Sequence, residues 1–106
     1  MDKSIDPEKA LRYLASTDEE YARAKAHVKY MEHKRKTIKA AQFLEAEGTI
    51  QQKESLAYDS QAMRDHLEEY KDAVYDEQIL VSKRKSAELA IEVWRSMNAN
   101  QRKGNI

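Results

Sequence analysis

The chain has 106 residues, with 19 Lys and Arg balanced by 19 Asp and Glu, 41% hydrophobic residues, 2 glycines, 1 proline and no cysteine. The missing cysteine excludes a disulfide framework and a thiolate metal site. The scarcity of glycine and proline excludes folds built on many tight turns. Zero net charge leaves no global cationic footprint of a nucleic-acid binder.

The length fits one small domain covering residues 1–106, and the regular apolar spacing excludes a disordered tail. The expectation is an all-α fold. A short N-terminal helix precedes a long antiparallel helical hairpin of coiled-coil type turning at Gly48, and a long C-terminal helix overhangs and self-associates. The segment Met1 to Asp6 has no apolar stretch and reads as no signal peptide. No window approaches the roughly 20 apolar residues of a membrane span. The missing cysteine is compatible with a reducing, cytoplasmic setting.

The first helix is predicted over about 7–15. Asp6 caps it, Pro7 takes the first-turn position, and Ala10, Leu11 and Leu14 share one face. A second helix, about 18–46, is predicted to start at Thr17, with Glu20 completing a capping box. Its stripe runs Tyr21, Ala24, Val28, Met31, Ile38, Ala41 and Leu44 in steps of three and four, interrupted by Arg35. Gly48 ends it, and Thr49 with Gln52 opens the next helix.

The third helix is predicted without interruption over about 50–97, with a frayed polar tail over 98–106. Its stripe runs Leu56, Met63, Leu67, Tyr70, Val74 and Val81, then drifts to Ala87, Ile91 and Trp94. Folded at Gly48, this helix is longer than the second by roughly 18 residues. Ala87, Ile91, Trp94 and Met97 on the overhang are too apolar to leave bare. They are therefore the expected interface of a homo-oligomer, a dimer by default.

Charge falls in three blocks. Residues 23–39 are basic, 54–77 acidic and 83–103 basic. A hairpin centred on Gly48 places residue 34 near residue 62, so the first two blocks can select each other as pairing partners. The third has no acidic block opposite it. Lys83, Arg84, Lys85, Arg95, Arg102 and Lys103, with Trp94 nearby, are the candidate nucleic-acid-binding residues, since cations with an aromatic surface can hold single strands. Lys34, Arg35, Lys36 and Lys39 form a possible second basic patch, because consecutive helical residues cannot all face one neighbour.

His33 and His66 fall at similar heights in that hairpin, but no His-x-x-x-His or Glu-x-x-His pair places two metal ligands on one face, so both read as surface histidines. No metal site, cofactor or catalytic constellation is expected, and the chain does not read as an enzyme.

The segment from Ile91 to Ile106, with Val93-Trp94-Arg95-Ser96-Met97-Asn98-Ala99-Asn100 its most specific part, resembles the C-terminal end of a family of small phage and prophage proteins. The stretches Arg35-Lys36-Thr37-Ile38-Lys39 and Glu45-Ala46-Glu47-Gly48-Thr49 are similar too. The resemblance spans most of the chain after about residue 17. It implies genes beside recombination and single-strand-binding genes, in an infected or lysogenic bacterial cell, and supplies no catalytic residues. The leading expectation is an oligomeric accessory protein of DNA recombination or replication that contacts single-stranded DNA, or the protein coating it, through its basic C-terminal region. The alternative is a helical interaction module or inhibitor that docks on a host or phage protein through its apolar C-terminal helix.

Overall fold

A computed structural model describes residues 5–104. Among these the chain is all-α, with three helices: α1 (Pro7–Glu45), α2 (Ile50–Tyr58) and α3 (Gln61–Gly104). Asp6 caps α1, its Oδ1 accepting from the Lys9 amide at 3.1 Å, with Pro7 in the first helical position. Among the described residues, 5–22 and 78–104 belong to one compact unit, and 23–77 to a second.

The expected break between a first and second helix at Thr17 does not occur. α1 runs unbroken through it. Thr17 is buried, and its hydroxyl donates to the Tyr13 carbonyl oxygen at 2.8 Å instead of capping a helix start. No glycine or proline lies near, and the three-and-four spacing continues through Ala10, Leu14, Thr17 and Tyr21. A capping box signals a helix start only where the preceding residues leave the helix. The C-terminal tail is likewise helical to Gly104, because nothing from Asn98 to Lys103 breaks it. Arg102 and Lys103 also favour the negative end of the helix dipole. Residues 105 and 106 of the expected frayed tail lie outside the described residues.

In the unit of residues 23–77, α1 and α3 pack antiparallel around Val28, Met31 and Ala73, with Tyr70 and Val74 against them. Met31 and Met63 are almost wholly buried; each contributes about 2 kcal/mol of apolar burial. The hairpin turns at Gly48, whose φ of 117° is open to glycine and strained for other residues. Thr49 and Gln52 form the capping box of α2, the Gln52 amide donating to Thr49 Oγ1 at 3.2 Å and the Thr49 amide to Gln52 Oε1 at 2.9 Å.

The predicted third helix is in fact two. At Asp59 and Ser60 the ladder stops: the Asp59 amide closes α2 on the Ser55 carbonyl at 3.1 Å, and Ser60 Oγ accepts from the Met63 amide at 3.1 Å. Arg64 clamps the corner, donating to the Asp59 carbonyl at 2.6 Å and its carboxylate at 2.7 Å. The corner also shifts the register. Lys34 meets Glu69, not the region of residue 62, because the residues at the interruption do not advance along α1.

In the other unit, Ala10 and Thr17 of α1 are buried. Along α3, Leu80, Arg84, Ala87 and Ile91 are half-buried in steps of four, three and four. Arg84 reaches α1 directly and so defines this face as the one turned toward it. The expected bare overhang is therefore corrected. Because α1 starts at Pro7, the α3 segment that would have overhung has an α1 segment in its own unit. Ala87 and Ile91 lie on that occupied face, whereas Trp94 and Met97 remain 40% and 54% exposed. No described helix is long and apolar enough to cross a membrane.

Candidate functional site

The richest chemistry lies in the unit of residues 23–77. A groove of about 380 Å³ is lined by Glu32, Arg35, Lys36 and Lys39 from α1, Tyr58 at the end of α2, and Leu67 and Tyr70 of α3. Three of the four residues of the second basic patch reach it. The fourth, Lys34, pairs with Glu69 at 3.9 Å instead. Tyr58 lies beside Lys39 as a hairpin turning at Gly48 places it, and the break at Asp59 and Ser60 shifts the register of the α3 residues that follow, so that Tyr70 meets Glu32.

Lys39 Nζ donates to the Tyr58 hydroxyl at 2.8 Å and lies 4.2 Å from the ring centre. A lysine held over an aromatic ring gains a cation–π attraction of about 0.5–1 kcal/mol at an exposed site. Tyr70 donates its hydroxyl to Glu32 Oε1 at 3.1 Å. That hydrogen bond to a carboxylate, with lesser desolvation and the Glu32 charge, holds the Tyr70 phenol above its ordinary pKa. Glu32 is thus engaged with Tyr70. Arg35 and Lys36 are exposed, with no hydrogen bond or ion pair to another described residue. The floor therefore carries two aromatic rings and Leu67, and the rim three cations against one carboxylate. A neighbouring depression shares Lys36 and Lys39 and adds Phe43 and Leu44. Such a surface suits a ligand that repeats negative charge alongside flat apolar groups.

The C-terminal basic residues are disposed differently. Arg84 is not available as a free cation. Its guanidinium donates to the Leu14 carbonyl at 2.9 Å, to Thr17 Oγ1 at 2.7 Å and to the Asp18 carboxylate at 2.7 Å, and it stacks 5.0 Å from the Tyr21 ring centre. Its side chain is only 15% exposed. Lys83, Lys85, Arg95, Arg102 and Lys103 are exposed. At about 100° per residue they point in three directions, with Arg95 and Arg102 on one side, Lys85 and Lys103 on another, and Lys83 apart. Four of them lie within about 100° of the α3 circumference, spread along the helix from Lys85 to Lys103, and Lys83 lies apart.

The chain matches no family model, no curated protein and no solved structure.

His66 was missed as a core residue. It is 2% exposed in the α3 stripe between Met63 and Tyr70, and neither ring nitrogen has a hydrogen-bond partner among the described residues. His33 is exposed, whereas His66 is buried. Among the described residues no group of three or more His, Asp or Glu side chains is placed to hold a metal ion.

Proposed function

We propose that this chain is a helical accessory protein that holds single-stranded DNA in the groove between α1 and the α2–α3 corner. Arg35, Lys36 and Lys39 take phosphates, and Tyr58 and Tyr70 offer rings on which bases stack. The observation that carries this reading is the convergence of two unpaired cations, a lysine-backed tyrosine and a second tyrosine on one groove. The resemblance to phage proteins encoded beside recombination and single-strand-binding genes supports a role in recombination or replication. Arg84 is a structural residue in this reading, and the phosphate contacts are assigned to the groove alone.

A second reading, docking on another protein through the C-terminal part of α3, is favoured by the exposure of Leu89, Val93, Trp94 and Met97. Fluorescence anisotropy with a labelled single-stranded oligonucleotide separates the two. The proposal expects saturable binding at low salt that weakens steeply as salt rises. Absence of binding at low salt overturns it.

A further inference from the structure

The back of α3, away from the face that carries Arg84, holds a stripe with its own heptad spacing: Ile79, Ser82, Ser86, Leu89, Val93 and Ser96. All six are exposed, including Ile79 at 39%, Leu89 at 48% and Val93 at 46%. The stripe carries no charge over roughly five helical turns, in a chain that is 36% charged. The Ser86 hydroxyl already donates to the Ser82 carbonyl at 3.1 Å, so it can be covered without losing its hydrogen bond. An uncharged stripe in steps of three and four is the pattern of a helix that packs against a second helix.

We infer that this stripe is a homodimer interface, in which α3 of one protomer lies antiparallel on α3 of its partner about a two-fold axis between Ala87 and Glu88. Two independent features select this occupant and register. The first is shape. In this alignment Leu89 meets Ser86, Val93 meets Ser82 and Ile79 meets Ser96, so every large side chain lies over a serine. The second is charge. The residues flanking the stripe on one side include Lys85 and Glu92. In this register Lys85 of each protomer faces Glu92 of its partner, twice by symmetry. Sliding one heptad in one direction sets Lys85 against Lys85, and sliding in the other sets Glu92 against Glu92. Like charges at these flanking positions disfavour both alternatives. A parallel pairing stacks serine on serine and forms no such ion pair.

The dimer does not depend on nucleic-acid binding and is tested without it. Light scattering on the full chain at about 100 µM should give roughly twice the mass of one 12.4 kDa chain. Leu89→Glu should give monomer with unchanged helical circular dichroism, since the site is exposed. Lys85→Glu and Glu92→Lys should each raise the dimer dissociation constant about tenfold, and the double reversal should restore it. A monomeric parent chain overturns the inference. So does a dimer that survives Leu89→Glu. Reversals that do not compensate each other overturn the antiparallel register.

Discussion

The salt dependence of binding tests the groove most quantitatively. On a single strand, each phosphate held by a cation contributes about 0.7 to the slope of log affinity against log salt. Arg35, Lys36 and Lys39 line the groove, so three contacts predict a slope of about −2. Raising salt from about 50 to 200 mM should then weaken binding about twentyfold. Arg35→Gln and Lys36→Gln should each flatten the slope by about 0.7, and the triple replacement should remove most of the dependence. Arg35 and Lys36 are exposed, so their loss should not disturb the fold. Circular dichroism checks the Lys39 variant, which gives up its bond to Tyr58. The assay is anisotropy with a labelled oligonucleotide over a salt series. An unchanged slope in the triple variant, or equal flattening by Lys85→Gln and Lys103→Gln, refutes the assignment of phosphate contacts to the groove.

Three further outcomes follow from individual side chains. His66→Leu should stabilise the fold, because it removes two buried nitrogens without partners; a gain of about 1 kcal/mol raises Tm by roughly 4–8 °C, and a lower Tm in a thermal melt would show that His66 has a role that leucine cannot fill. Arg84→Ala should cost about 2 kcal/mol, since the guanidinium bonds Leu14, Thr17 and Asp18 from a largely covered position; chemical denaturation that shows no loss would contradict its structural role. In an alkaline titration followed by tyrosine absorbance, Tyr70 should ionise above the usual phenol value of about 10. Its raised pKa means that the Glu32 bond stabilises the fold fully below the unfolded phenol value of about 10, and that the contribution disappears as pH climbs through the folded one. Glu32→Ala should return Tyr70 to the ordinary range, and a late-titrating phenol that persists in that variant argues against the bond.

Local signals were legible in the sequence where one residue type decides the backbone. Gly48 and the Thr49–Gln52 box mark the turn without knowledge of the rest. Thr17 carried the same kind of signal and misled, because its cap is conditional. With Ala10, Leu14 and Tyr21 continuing the stripe, its hydroxyl turns inward to Arg84 and the helix continues. The corner at Asp59 and Ser60 has neither glycine nor proline, only two residues able to cap, so the long third helix read as unbroken.

The candidate site followed from these outcomes. The cationic run from Lys34 to Lys39 was visible and a hairpin at Gly48 sets Tyr58 beside it, but the meeting of Tyr70 with Glu32 depends on the shift at the corner. Arg84 read as a free cation because no acidic block lies opposite it, whereas its partners are a carbonyl, a hydroxyl and one carboxylate on α1. His66 had a usable signal, since it continues the three-and-four spacing between Met63 and Tyr70, but residue type outweighed position.

The central claim is that Arg35, Lys36, Lys39, Tyr58 and Tyr70 form one binding surface. It is tested most directly by following amide and side-chain resonances while a single-stranded oligonucleotide is added at low salt. Shifts should concentrate at residues 32–39, 58 and 67–70 and reverse when salt is added. Shifts centred on residues 95–104, with the groove unchanged, would contradict it.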